Sequence, residues 1–535
     1  MLTRRTMLGG LSGLVATSTM VRSASAQEQD AATQGEADAA GGAEPAPFSF
    51  EALTERMRAK AGEPFEQPSF DVPEPVRQLD YEAYKQIAFR PDRAVWRDTD
   101  SPFRIHAFHL GWLFNEPVKI FELVDGQPHE LTFSPGDFDY RDPLNPADFE
   151  SLPMPGVAGF RLHFPLNRPD VFDEVIAFQG ASYFRAVGYG NVYGISARGL
   201  AIDTAAGREE EFPRFTEFYL ERPGPRATEI RVYAALESAS VTGAYAFTIR
   251  PGLSTVTDIV ANLFFREDVR RLGIAPMTSM FLFGENNRAV FDDFRARVHD
   301  SEGLRIIRQN GDEVWRHLNN PSVLANSFFG EDSPLSFALN QRHRAFADYE
   351  DAEAHYEKRP SLRVEPHAGF GKGHIQLVEI PADADHMDNV VAFWTPEEPV
   401  QAGTERHLDY RMVWGVPGSE ESVLGLAVTT RTGAGGPPGS RRDDGLRKFV
   451  VDFGGGMLRG LPADSPLSAD FSVNGGQTEA TALFRIEDGL WRFAFDVLPD
   501  GERPVELTVR LMLADRPLTE TWLYQWRPGD ETRRV

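Results

Sequence analysis

A chain of 535 residues exceeds what one ordinary hydrophobic core supports, so two or more domains are the starting expectation. Its 80 acidic against 55 basic residues give a formal net charge of −25, which disfavours nucleic acid and anionic membranes as partners, and no basic run or zinc-finger spacing offsets it. The absence of cysteine removes disulfides, thiolate catalysis and Cys-ligated metals, while 41% apolar content leaves ample material for a folded interior.

The N-terminus reads as an address. Arg4-Arg5 precedes a moderately apolar, Gly-rich stretch, and Ala24-Ser25-Ala26 supplies the small residues of an A-x-A cleavage site. The pattern predicts a twin-arginine (Tat) export signal over 1–26, cleaved after Ala26, and a mature protein soluble in the periplasm. The apolar stretch is too short to span a bilayer and no other segment is long enough, so no stable membrane insertion is expected. Residues 27–46 are small, acidic and almost free of large apolar groups. They cannot bury enough surface to offset ordering entropy and read as a disordered leader.

Phe50, Leu53 and Met57 at helical spacing predict a short helix over about 50–61, and a second is expected at 79–87 around Tyr81 and Tyr84. LTERMRAK (53–60) and VRRLG (269–273) are the clearest helical patches. Elsewhere the chain is made of short alternating or apolar runs broken by Gly, Pro, Asn and Asp. Examples are RIHAFHL (104–110), VKIFELV (118–124), GFRLHFPL (159–166), EIRVYAAL (229–236), YAFTIRPG (245–252) and SMFLFG (279–284). Such runs, in a chain with 39 Phe, 47 Gly and 38 Pro, predict an all-β fold with a large antiparallel sandwich over 47–412. The Gly- and Pro-rich stretch Arg431–Gly445 marks 413–448 as a linker and mobile loop that cannot form a strand interior. FVVDF (449–453), FRIEDGLWRFAFDV (484–497), VELTVRLML (505–513) and ETWLYQW (520–526) predict a second, smaller sandwich over 449–535, of immunoglobulin-domain size.

Short motifs carry little chemistry. His106 and His109 stand three apart in a predicted strand, which sends the rings to opposite faces and argues against a metal pair. Gly194-Ile195-Ser196-Ala197-Arg198 lacks the second glycine of a nucleophile elbow. Lys372, within Gly369–Gly373, lacks the Ser or Thr that follows a P-loop lysine. The run Asp383-Ala-Asp385-His386-Met-Asp388 reads as a solvated acidic turn, a Ca²⁺ site without the EF-hand spacing, or a catalytic loop. No cofactor or metal is expected. With 80 carboxylates in the chain, composition cannot pick a catalytic pair.

Longer runs are more informative. They are Ala181–Thr204 (ASYFRAVGYGNVYGISARGLAIDT), Glu211–Phe218 (EFPRFTEF), Gly273–Gly284 (GIAPMTSMFLFG), Val298–Ser301 (VHDS), Trp315–Pro321 (WRHLNNP), Leu377–Pro381 (LVEIP) and Asp388–Trp394 (DNVVAFW). These resemble the osmoregulated periplasmic glucan biosynthesis proteins of the G and D types, from about residue 70 onward and more weakly after 410. The twin-arginine signal is more like the D type.

The resemblance implies a large galactose mutarotase-like N-terminal β-sandwich joined to a small immunoglobulin-like C-terminal one. It implies action on β-1,2-linked glucan, as an inverting endo-β-1,2-glucanase or a related transglycosylase. It further implies Asp388 as general acid, Asp300 as general base and Tyr356 near the acid, able to pass or orient protons. An inverting pair needs one carboxylic acid and one carboxylate, with room for water between them. On residue chemistry alone, Asp300 within Asp-Ser-Glu-Gly reads first as a turn-capping residue. Arg185, Arg198, Trp315 and Arg316 are candidate substrate-binding residues of the cleft, with buried structural pairing of the arginines the competing reading. The loop at 431–445 departs most from the family, where the corresponding region reaches a partner subunit's cleft. The resemblance is compatible with a homodimer. A second reading is a non-catalytic glucan-binding assembly factor that partners the inner-membrane glucosyltransferase.

Overall fold

A computed structural model describes residues 47–417, 422–437 and 445–532. The predicted export signal (1–26) and leader (27–46) lie outside the described residues, as does the centre of the 431–445 loop.

The architecture is an all-β sandwich. One ten-stranded sheet runs in the order Arg104–Phe108, Gly159–Arg168, Val171–Gln179, Tyr183–Ala186, Ser196–Arg198, Leu272–Ser279, Val390–Pro396, Lys372–Glu379, Ala325–Asp332, with Leu200–Ile202 paired to Leu272–Ser279. It faces the N-terminal part of a longer sheet built on the hairpins Arg214–Glu221, Ile230–Glu237, Val241–Arg250 and Thr255–Phe265. The abundant phenylalanines explain the layering. Phe160, Phe178 and Phe184 stack across neighbouring strands of the first sheet, at 5.2 and 5.5 Å. Phe218 and Phe247 meet Phe178 edge-on from the second sheet, at 5.4 and 5.3 Å. Edge-to-face geometry places the positive ring edge against the negative ring face, so the period-two alternation of these strands yields directional packing as well as burial.

The helix Phe50–Ala61 forms where helical spacing predicts it, capped by Ser49, whose side chain accepts the Ala52 N–H. The expected helix at 79–87 is a single turn, Tyr81–Tyr84. VRRLG is not helical. Val269 bridges Val400 and the strand Leu272–Ser279 begins within the run, because pairing with the chain near 400 and near 394 overrides local periodicity.

The C-terminal part is also two-layered. A four-stranded sheet (Leu426–Ala434, Arg447–Gly454, Leu490–Pro499, Gly476–Glu487) covers the strands Leu467–Asn474, Val505–Leu513 and Thr521–Trp526. Phe449 meets Trp526 and Phe471 meets Phe495 between the layers. The strand Leu426–Ala434 and the start of Arg447–Gly454 fall within the stretch expected as a linker over 413–448. Burial of Ala427 and Thr430, on either side of a bulge, and the Arg431–Asp452 ion pair hold the first of them despite Gly433. The covered sheet is continuous with the large N-terminal one, since Thr521–Trp526 pairs in parallel with Glu313–His317. Trp315 belongs to the C-terminal core. Among the described residues no helix is long and apolar enough to cross a membrane.

Candidate active site

One short segment holds both predicted catalytic carboxylates. The strand Leu272–Ser279 ends at Ser279, and the next residues turn into Phe281–Phe283. Met280 accepts the main-chain N–H of Asp300 at 2.8 Å, and the Ser279 and Ser301 hydroxyls are 2.8 Å apart. From the other side, the Asn389 N–H donates to the Ser279 carbonyl at 3.1 Å. The Asn389 side chain then copies a strand edge. Its Oδ1 accepts from Phe281 N at 2.8 Å and its Nδ2 donates to Phe281 O at 2.9 Å. Residues 279–281 therefore fix the turn carrying Asp300 and the loop end carrying Asp388.

The environments of the two acids differ. Asp300 is buried, and Arg359 Nη1 donates to its Oδ1 as an ion pair. Burial raises the Asp300 carboxyl above its ordinary value, and the Arg359 cation and hydrogen bond pull against it without fully restoring it. Asp388 is half-buried. Its pKa is raised to about 7, first by burial and then by the charge of Asp300, against the opposing fields of Arg185, Arg198 and Arg359. The two acids are therefore coupled, the charge of Asp300 being one cause of the rise at Asp388.

The structure brings Arg185, Arg198 and Tyr356 into this neighbourhood. Arg185 stacks 4.4 Å from the Tyr193 ring centroid, and its charge acts on both acids. Arg198 is buried between Tyr183, at 4.7 Å, and Phe212, at 5.6 Å. It donates to Glu210 at 2.6 Å and to Thr278 Oγ1 at 3.1 Å. Tyr356 is fully buried beneath the Arg359 guanidinium, 4.3 Å away, and its hydroxyl donates to Asp385 Oδ2 at 3.2 Å. Arg295 donates to the same oxygen at 3.1 Å and to Asp351 at 2.8 Å. Asp385, from the acidic run, is thus neutralised by a guanidinium. Among the described residues no group of three or more His, Asp or Glu is arranged to hold a metal ion. Phe212 also lines an open groove of 1110 Å³ together with Phe65, Phe70 and Arg214.

Trp315 and Arg316 stand elsewhere. Trp315 is fully buried, with the Arg342 guanidinium 3.5 Å from its ring centroid and the Gly303 backbone packed closely against the ring. Arg316 is also buried and donates to Glu379 Oε2 at 2.9 Å. Both are buried, which favours structural packing and pairing, the competing reading, over contact with sugar. Indole apolarity and a matched carboxylate account for both placements.

Arg359 was not singled out in the sequence. It pairs with Asp300 across 59 positions, and only its place three residues after Tyr356 hinted at the site. His106 and His109 are both buried, His106 against His163 at 4.0 Å, and burial lowers the pKa of each.

The family model described as "Periplasmic glucan biosynthesis protein, MdoG" matches residues 48–526. The chain is 52% identical over 486 residues to "Glucans biosynthesis protein G" of Cereibacter sphaeroides, covering 90% of each. It is 45% identical over 500 residues to "Glucans biosynthesis protein D 1" of Ralstonia nicotianae, covering 90% of this chain and 92% of that protein. "Glucans biosynthesis protein D" of Xanthomonas campestris pv. campestris is 42% identical over 500 residues, 92% of each. Relatives of both types match over nearly the whole length, and the chain belongs to the periplasmic glucan biosynthesis protein family.

Proposed function

We propose that the chain is a periplasmic enzyme that cleaves or remodels β-1,2-glucan with inversion, as an endo-β-1,2-glucanase or a related transglycosylase. The observation that carries this reading is geometric: residues 279–281 hold the turn of Asp300 and the loop end of Asp388 together, with Asp300 paired to Arg359 and the carboxyl of Asp388 pushed up to about 7 by burial and by the charge of Asp300. Catalytic acid–base pairs are recognised by environments that separate their protonation states.

In the proposed step Asp388 gives its proton to the departing glycosidic oxygen as the C1–O bond breaks. Asp300 accepts a proton from the attacking water, or from the sugar hydroxyl that replaces water in transglycosylation. Each transfer is direct or relayed by an intervening hydroxyl. The new C1–O bond forms on the opposite face, and solvent restores the two protonation states. Arg185 and Arg198 border the pair, and the groove at Phe212 offers room for further sugar units. The relatives' names, concerned with glucan biosynthesis, support the substrate class.

The test is the anomer released first from linear β-1,2-glucan, followed by NMR. Inversion predicts the α-anomer. Initial β-anomer contradicts the stereochemistry. Binding without any bond cleavage favours the alternative of a non-catalytic assembly factor working with the inner-membrane glucosyltransferase.

A further inference from the structure

Four consecutive residues, Gln341 to Arg344, follow the strand Ser336–Asn340, and each is tied to the frame around Asp300. Gln341 Oε1 lies 2.9 Å from His299 Nδ1, and its Nε2 donates to the Tyr356 carbonyl. His343 Nδ1 is 3.0 Å from Glu302 Oε2, and the Arg342 main-chain N–H donates to that same oxygen at 3.2 Å. Arg344 donates to the Arg359 carbonyl and, at 3.0 Å, to Ser361 Oγ. His299 and Glu302 bracket Asp300 in sequence, and Arg359 is its ion partner.

The Arg342 side chain points the other way. It donates to Glu520 Oε1 at 2.6 Å, to Glu520 Oε2 at 2.8 Å and to the Ala427 carbonyl at 2.7 Å, with its guanidinium over Trp315. Glu520 is fully buried and also accepts the Ala427 N–H at 2.8 Å. A bidentate guanidinium–carboxylate pair fixes a plane as well as a distance, and a stacked ring on one face removes its remaining freedom. The backbone of residue 342 is thereby clamped to the C-terminal strands, while its own N–H and its neighbour's imidazole hold Glu302.

We propose that Glu520 is a positioning residue for Asp300, acting through Arg342, so that the C-terminal sandwich is part of the frame of the active site. The inference rests on the assignment of Asp300 as the base. It also explains Trp315, whose indole backs the guanidinium and lies against Gly303, one residue beyond Glu302.

The experiment compares Glu520→Gln with Phe449→Leu, a core substitution in the facing C-terminal sheet, where Phe449 packs against Tyr524 and Trp526. Both are measured by melting temperature, by hydrogen–deuterium exchange of the 298–304 peptide, and by kcat and KM on linear β-1,2-glucan. Glu520→Gln is expected to speed exchange in 298–304 and lower kcat by ~10–100-fold with KM within about twofold. Phe449→Leu is expected to lower the melting temperature with neither effect. Unchanged exchange in Glu520→Gln, or equal effects of the two variants at equal loss of melting temperature, overturns the proposal. If the wild-type protein does not act on the glucan, the assignment of function falls while exchange still decides whether Glu520 holds the turn.

Discussion

Burial and then the negative charge of Asp300 lift the carboxyl of Asp388 to a pKa of about 7. An acid in that position is half protonated at about pH 7 and increasingly protonated below it. The pH–rate profile is therefore expected to fall as pH rises through about 7, where Asp388 loses its proton, and to fall again at acid pH as Asp300 is protonated. Initial rates on β-1,2-glucan across pH check this; a rate that stays flat or increases well beyond pH 7 contradicts the acid assignment.

The same shift makes Asp388 a stability liability. A carboxyl raised in the folded state contributes stability that is complete below its unfolded pKa of about 3.9 and is gone once pH has risen past about 7. Asp388→Asn removes that dependence. The variant is expected to gain on the wild type by ~2–4 kcal/mol between about pH 4 and pH 8 while losing activity. Urea unfolding at the two pH values reads the difference.

Arg359 lowers the pKa of both acids through its charge. Arg359→Gln is expected to move both limbs of the pH–rate profile upward and to reduce kcat by ~10²-fold. Arg185→Leu should move the alkaline limb in the same direction, since Arg185 opposes the rise of Asp388. Limbs that stay in place would show that neither guanidinium sets the carboxyl protonation.

Trp315 and Arg316 are expected to behave as core residues. Trp315→Ala should cost ~3–5 kcal/mol of stability through the cavity it leaves. Arg316→Met should cost a similar ~3–5 kcal/mol by leaving buried Glu379 without its cation. Gly303→Ala should destabilise as well, because the added Cβ would come within 2.3–2.5 Å of three Trp315 ring atoms. Denaturant midpoints check all three; a raised KM at unchanged stability would instead return Trp315 or Arg316 to the substrate cleft.

What was legible in the sequence follows the range of the interaction. Val505–Leu513 and Arg104–Phe108 were readable because side-chain alternation is local, and the helix Phe50–Ala61 because its apolar spacing is local too. VRRLG failed because pairing of Val269 with Val400 overrides its local pattern. The strand Leu426–Ala434 was hidden by Gly433 and the Gly- and Pro-rich run that follows it. At the site, Asp300 and Asp388 came from long runs of family resemblance. Arg359 did not, since an ion pair across 59 positions leaves no periodic trace. The same holds for Arg342 and Glu520, which are 178 positions apart. A tryptophan in a conspicuous run reads as a sugar platform until packing shows which ring face is already covered.

The most direct test is to incubate the mature protein with linear β-1,2-glucan and separate the products by size, with Asp300→Asn and Asp388→Asn alongside. The account predicts that the wild type shortens or cyclises the glucan, while both folded variants lose that activity by at least ~10²-fold. A wild type that binds the glucan and leaves its length unchanged, or an Asn variant that retains full activity, would contradict it.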